Sequence, residues 1–276
     1  MRILRVFPRE TSYSPHDGLA EFGPPGLFRP EADEVHVSVT FTWDKAKGEE
    51  LARQWEPHYP GKVRLGGPAY QSDCSTFYRG RYVKDGITYT TRGCPNRCPF
   101  CLVPEWEGDL RVLDNVAPGH TIQDNNFLAA PKAHRAKVYD MLRNQHAVRF
   151  LGGLESRRFT GWDALQMEHI KINELWFACD SPGSIRRLRK ALGLIPAMPR
   201  NKKRCYVLIG FRDGETVDDA EARLREVWHS GALPFAQLYR PPAERDKTEW
   251  PEEWRKLQRI WTRPALTKAY MAAEAR

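Results

Sequence analysis

Ile87-Thr-Tyr-Thr-Thr-Arg-Gly-Cys-Pro-Asn-Arg-Cys-Pro-Phe-Cys101 decides how the rest of the chain is read. Its opening residues, Ile87–Thr91, are β-branched or aromatic and predict a strand, and three cysteines follow at i, i+4 and i+7. Downstream, strand and helix patterns alternate regularly. Strands are expected at Thr121–Gln123, Val148–Leu151, Glu174–Cys179, Cys205–Ile209 and Phe235–Leu238. Helices are expected at Lys132–Arg143, Trp162–His169, Ser184–Leu192 and Val217–Trp228, with another after the cysteines. Six strands with helices between them predict an α/β fold, an open, partial (β/α)6 TIM-like barrel rather than a complete eightfold one.

Upstream of the cysteines the pattern is that of a smaller α/β unit. Val35–Thr42 alternates as a strand, Lys45–Trp55 places Leu51, Ala52 and Trp55 on one helix face behind an Asp44 cap, and Val63–Leu65 is a second strand. Residues 8–30, rich in proline, are expected to be irregular. From Glu249, residues Trp250, Trp254, Leu257 and Trp261 fall at helical spacing, with Arg255, Lys256 and Arg259 on other faces. That stripe packs on the barrel or offers a stacking surface to nucleic acid. The expected division is 1–80 as an N-terminal α/β domain, 81–242 as the barrel and 243–276 as a helical extension.

The 276 residues carry a net charge of +8, unevenly placed. Residues 1–80 hold 10 Lys and Arg against 11 Asp and Glu, and residues 81–276 hold 33 against 24. The cysteine-bearing part is the basic part, which favours an anionic partner such as nucleic acid or else a well-solvated surface. No apolar run approaches a membrane span, and residues 1–30 lack a stretch of signal-peptide length, so a cytoplasmic protein with no membrane partner is expected.

Six cysteines, three of them within eight residues, read as metal or redox chemistry rather than a disulfide scaffold. Three thiolates from one short loop suit an iron–sulfur cluster and leave one iron open. The competing reading is a zinc site completed by a histidine such as His120. Cys74, Cys179 and Cys205 remain outside the motif.

The Cys-x3-Cys-x2-Cys run, with an aromatic residue before the third cysteine and a place after the first barrel strand, resembles the radical S-adenosylmethionine (SAM) superfamily over roughly residues 86–240. The longer Thr-Thr-Arg-Gly-Cys-Pro-Asn-Arg-Cys-Pro-Phe-Cys is similar to its methylthiotransferase and cobalamin-associated branch, whose N-terminal Rossmann-like domain residues 1–80 resemble in abbreviated form. The whole chain is also similar to compact radical SAM proteins of viral and metagenomic type. The resemblance implies that Cys94, Cys98 and Cys101 hold a [4Fe–4S] cluster whose open iron binds SAM. Reductive cleavage would release a 5′-deoxyadenosyl radical that abstracts hydrogen from a substrate, with an electron donor such as flavodoxin or ferredoxin as partner.

The same resemblance, read at the C-terminal strand ends, implies SAM contacts. Phe100 belongs to the motif. Asp124, Asn125 and Asn126 stand where the family usually has a Gly-Gly-Glu-like element; a helix-capping turn is the alternative. Gly152 and Gly153 would let backbone approach a ligand, and Glu155 and Arg157 would bring a charge pair, Arg157 toward the SAM carboxylate; a surface ion pair at a loop is the alternative. Asp180 would suit the ribose hydroxyls or cap a helix, and Ile209 and Gly210 resemble the family's Ile-x-Gly element on adenine, though a buried barrel strand explains most of that element as well. Methylthiolation calls for three further N-terminal cysteines, where residues 1–80 contain only Cys74. Cobalamin would need a longer N-terminal domain and an Asp-x-His-x-x-Gly-type signature that the chain lacks. The expected activity is radical SAM chemistry on a nucleic acid or nucleotide. The alternatives are a peptide or small metabolite as substrate, and a non-enzymatic zinc-stabilised nucleic-acid-binding module.

Overall fold

Two sets of buried aliphatic strands build two separate cores. The computed structural model describes residues 1–70, 81–114, 116–241 and 249–274. The chain is mixed α/β with parallel sheets, and it divides into two units, Met1–Ile87 and Thr88–Arg276.

In the first unit, β1 (Ile3–Phe7), β2 (Ala20–Phe22), β3 (Glu34–Ser38) and β4 (Val63–Gly66) form a sheet in the order β2-β1-β3-β4, with every neighbouring pair parallel. All five residues of β1 are buried, which suits an interior parallel strand. Helix α1 (Lys45–Trp55) lays Leu51 and Trp55 on Val35 and Val37, and the Trp55 indole N–H donates to the Gly23 carbonyl at 3.0 Å. Two features differ from the sequence expectation. Strands β1 and β2 are additional to it; β2 is only three residues long and lies within the proline-rich stretch. Asp44 makes no capping bond; its buried carboxylate pairs with Arg9 instead.

The second unit begins inside β5 (Gly86–Thr88). It continues through β6 (Thr91–Arg92), α2 (Val103–Trp106), β7 (Arg111–Val112), β8 (Gly119–Ile122), α3 (Lys132–Arg143), β9 (Val148–Leu154) and α4 (Gly161–Glu168). Then come β10 (Ile172–Ala178), α5 (Ser184–Gly193), β11 (Lys203–Ile209), α6 (Val217–His229), β12 (Leu233–Leu238), α7 (Glu252–Thr262) and α8 (Pro264–Glu274). The main sheet has the order β5-β8-β9-β10-β11-β12, and every pair from β8 to β12 is parallel. Helical connections between parallel neighbours bring the C-terminal ends of β8 to β12 to one edge of the sheet.

Phe150, Leu175, Phe177, Val207 and Ile209 from the strands meet Leu142, Leu188 and Leu224 from the helices in one core. Trp254, Leu257 and Trp261 of α7 are buried in that core as well, so this part of the C-terminal stripe is a packing face. Helices α4 and α6 start with reciprocal capping boxes, Thr160 with Asp163 and Thr216 with Asp219. Among the described residues no helix is long and apolar enough to cross a membrane.

A buried ion pair fixes the end of β11. Arg223 donates to Glu215 at 2.7 Å and to the Leu208 carbonyl at 2.5 Å, while Glu215 accepts the Gly210 N–H at 2.8 Å. Both side chains are almost wholly buried. Arg223→Met is therefore expected to leave Glu215 with only the more exposed Arg212, at 3.2 Å, and to orphan the Leu208 carbonyl, lowering unfolding free energy by roughly 2–3 kcal/mol. Arg225→Met, in a partly exposed network with Glu221 and Glu274, is expected to cost about 1 kcal/mol or less. Urea unfolding of the two variants checks the difference.

Candidate functional site

The strand expected over Ile87–Thr91 is interrupted, because Asp124 from the end of β8 takes both the Thr90 N–H, at 2.6 Å, and the Thr90 hydroxyl. The chain resumes as β6 and pairs antiparallel with β7, Thr91 opposite Val112 and Arg92 opposite Arg111. This two-stranded clasp closes a loop that contains all three motif cysteines. Inside it, the Cys94 N–H donates to the Gly108 carbonyl at 3.1 Å and the Cys101 N–H to the Cys98 carbonyl at 3.0 Å. Gly93 has φ +76°, and a Cβ there would lie 2.2 Å from the Asp109 carbonyl oxygen, so glycine is required where the loop begins.

Glu107 locks the loop from its far side. It pairs with Arg92, accepts the Gly93 N–H at 3.1 Å and accepts the Asn125 amide at 2.6 Å. Asn126 donates to Cys94 Sγ at 3.5 Å and to Glu155 at 2.8 Å, and its Oδ1 is buried with no hydrogen-bond partner among the described residues. Glu155 further accepts the Asn96 amide at 3.0 Å and the guanidinium groups of Arg157 and Arg158; Arg157 also donates to Asn96 Oδ1 at 2.6 Å. The cysteine loop is thus tied to the ends of β8 and β9 through Asn96, Asn126 and Glu155.

Cys94 is buried, whereas Cys98 and Cys101 are half-buried. Burial, then the neighbouring Cys101, Cys94 and Asp180, push the Cys98 thiol up, with Arg157 opposing. Burial also pushes the Cys101 thiol up against a hydrogen bond from the Val103 backbone, and Cys94, Asp180 and Glu107 add to the rise. Burial and the nearby thiols and carboxylates thus disfavour free thiolate at Cys98 and Cys101, and a bound cationic centre would stabilise it. Among the described residues, no three His, Cys, Asp or Glu side chains form a group that could hold a single metal ion. The zinc reading asks for that convergence, with ligands about 2.3 Å from one centre. A cubane asks for less, since each thiolate binds a different iron. His120 lies in β8 with its Nδ1 2.9 Å from Thr121 Oγ1, before the strand end that carries Asp124.

The loop opens on a cleft of about 510 Å³ lined by Asn96, Cys98, Phe100, Glu155, Arg157 and Asp180, among others. Phe100 meets Phe211 edge to face at 5.1 Å, and Phe211 meets Tyr239 at 4.8 Å, which carries this wall to the ends of β11 and β12. Asp180 accepts the Leu208 N–H at 3.0 Å through Oδ1. Burial pushes its carboxyl up, opposed by that bond and by Arg223.

The remaining residues expected to meet SAM have other partners. Asp124 is buried and engaged by Thr90, and burial pushes its carboxyl up despite those bonds. Gly152 serves the close approach of the chain just past β8, since a Cβ there would stand 1.6 Å from the Asp124 carbonyl oxygen. Gly153 sits at a register shift between β9 and β10, with the Tyr206 ring as its neighbour. Ile209 is fully buried in the core. Gly210 lies under the Trp250 indole, where a Cβ would be 2.2 Å from the ring, and Trp250 donates to the Tyr239 carbonyl at 2.9 Å. Asn96 and Glu107 emerge only from the structure. Asn96 lies inside the motif with the character of a turn residue, and no spacing links Glu107 to Arg92 or Asn125 before the clasp forms.

Cys179 and Cys205 are buried in the core, apart from this loop, and Cys74 lies outside the described residues. Burial, with Asp180 close by, pushes the Cys179 thiol from 9.0 up to about 12. A raised thiol pKa contributes stability that is complete below the unfolded value and is lost as pH rises toward the folded one. Stability should therefore fall between pH 9.0 and about 12 more steeply in the native chain than in Cys179→Ala, as measured by denaturant midpoints.

No protein-family model matches the chain, and no curated protein matches it.

Proposed function

We propose that this protein is a radical SAM enzyme, with Cys94, Cys98 and Cys101 holding a [4Fe–4S] cluster. The observation that carries the proposal is one clasped loop holding three thiols, of which Cys98 lines a cleft at the C-terminal edge of a parallel sheet. The sequential strand order supports the finer reading as a partial (β/α)6 TIM-like barrel, and the four parallel strands of residues 1–66 support an abbreviated Rossmann-like unit. When bound, the cluster supplies the electron that splits the SAM sulfonium bond and generates the 5′-deoxyadenosyl radical.

The chain's own residues position the ligand. Asn126 Oδ1, buried and unpartnered among the described residues, is the best acceptor for the SAM ammonium; Asp124 is already engaged by Thr90. Arg157 lines the cleft and retains donors beyond those given to Glu155 and Asn96, which suits a carboxylate. Asp180 has its second carboxylate oxygen for ribose hydroxyls, and Phe100 supplies an apolar wall. The Asn126 amide on Cys94 Sγ would stabilise thiolate charge and tune the cluster potential. The basic surplus of residues 81–276 favours an anionic substrate, a nucleic acid or nucleotide, in a cytoplasmic setting with a flavodoxin or ferredoxin as donor.

The test is electron paramagnetic resonance of the anaerobically reconstituted, reduced protein. The proposal expects a [4Fe–4S] signal whose shape changes on adding SAM. A cluster spectrum indifferent to saturating SAM would contradict it.

A further inference from the structure

Beside the first cleft lies a second, of about 650 Å³, between the β9–α4 connection and α5. The two share Ser156, Arg157 and Arg187 in their walls. Helix α5 buries Ile185, Leu188, Ala191 and Leu192 and turns Arg186, Arg187 and Lys190 toward the second cleft. Arg186 and Lys190 are one turn apart, about 6 Å along the axis.

These three cations differ from most arginines of the same unit. Arg135 is neutralised by Asp163, Arg189 by Glu226, Arg223 by Glu215 and Arg225 by Glu274. Arg186, Arg187 and Lys190 make no ion pair or hydrogen bond among the described residues, and no carboxylate is among the residues lining the cleft. The N-terminal end of α4 borders the same space at Thr160 and Gly161, but its capping box with Asp163 occupies that end, so the field comes from the side chains of α5. Phe159 and Leu194 give the cleft an apolar floor. Unneutralised, exposed cations in a concave wall create a field for anions, and guanidinium forks match phosphate oxygens.

We propose that this second cleft is a phosphate-binding subsite, in which Arg186, Arg187 and Lys190 hold phosphoester groups of the molecule whose reacting part enters the first cleft. Its assignment to a substrate rests on the radical SAM reading; phosphate binding itself does not. The shared chemistry is a phosphoester, presented by single-stranded RNA or by a nucleoside diphosphate.

The test uses the whole 276-residue chain, reconstituted, without SAM or reductant, so binding is measured independently of cleavage. Two probes are titrated by fluorescence anisotropy, a labelled single-stranded RNA of about twelve nucleotides and a labelled adenosine diphosphate. The expected result is salt-sensitive binding of at least one probe, weakened at least ~10-fold in Arg186→Gln/Arg187→Gln/Lys190→Gln. For RNA, the slope of log affinity against log salt should also flatten by about 0.7 for each phosphate that the variant no longer neutralises. The control Arg255→Gln/Lys256→Gln/Arg259→Gln removes equal charge from α7 and should change little. Binding of RNA alone identifies a polynucleotide, and binding of the diphosphate identifies a nucleotide-sized ligand. Equal weakening in both triple variants, or binding of neither probe, would overturn the subsite. Retained phosphate binding in a protein that fails to cleave SAM would remove the radical reading and leave the subsite standing.

Discussion

Replacing Cys94, Cys98 or Cys101 with alanine, one at a time, is expected to reduce bound iron from about four per chain to background after anaerobic reconstitution. The effect should be nearly complete for each because, on the proposed reading, the loop would offer one thiol to each of three irons. Among the described residues the other two cysteines, Cys179 and Cys205, are buried in the core with thiols that burial holds protonated. Neither can replace a motif cysteine, so Cys179→Ala and Cys205→Ala should retain full iron. Cys98 and Cys101 are half-buried, so their removal should leave the apo fold near native stability. Iron retained in all three motif variants would show that the loop is not the ligand set.

The second large effect is structural. Gly152→Ala should cost roughly 5 kcal/mol, comparable with the whole stability of an ordinary domain. The added Cβ would stand 1.6 Å from the Asp124 carbonyl oxygen and 2.7 Å from its carbonyl carbon, both backbone atoms that cannot rotate away. Relief requires β8 and β9 to separate, which would also pull Asp124 from Thr90 and loosen the start of the cysteine loop. Gly153→Ala is the control. Gly153 has φ +86°, but the nearest atom to its added Cβ is 3.9 Å away, so only the backbone penalty of about 1–2 kcal/mol applies. Soluble yield and urea midpoints of both variants test this, and a Gly152→Ala protein as stable as Gly153→Ala would contradict it.

The alternation of strands and helices after residue 86 is legible because each element carries its own period. β10 buries Ile172 and the apolar run Leu175–Phe177, and α5 is a clean amphipathic helix. The cysteine loop is legible because its thiols are local in sequence. What escapes reading depends on distant partners. The break at Thr90 is made by Asp124, 34 residues away, and no local propensity announces it. Glu107 gains meaning only once β6 and β7 bring it to Arg92 and Asn125. The glycine pair Gly152-Gly153 reads as room for a ligand, yet the approach at Gly152 is by the Asp124 backbone just past β8. Sequence identifies a small residue at a close approach without identifying what comes close.

The most direct test of the central claim is formation of 5′-deoxyadenosine. The reconstituted 276-residue chain is reduced anaerobically in the presence of SAM, and products are analysed by mass spectrometry. The account predicts 5′-deoxyadenosine and methionine from the native protein and neither from Cys98→Ala. A protein that retains zinc instead of iron, or that carries an intact reduced cluster and still leaves SAM whole in the presence of RNA and nucleotide, would contradict it.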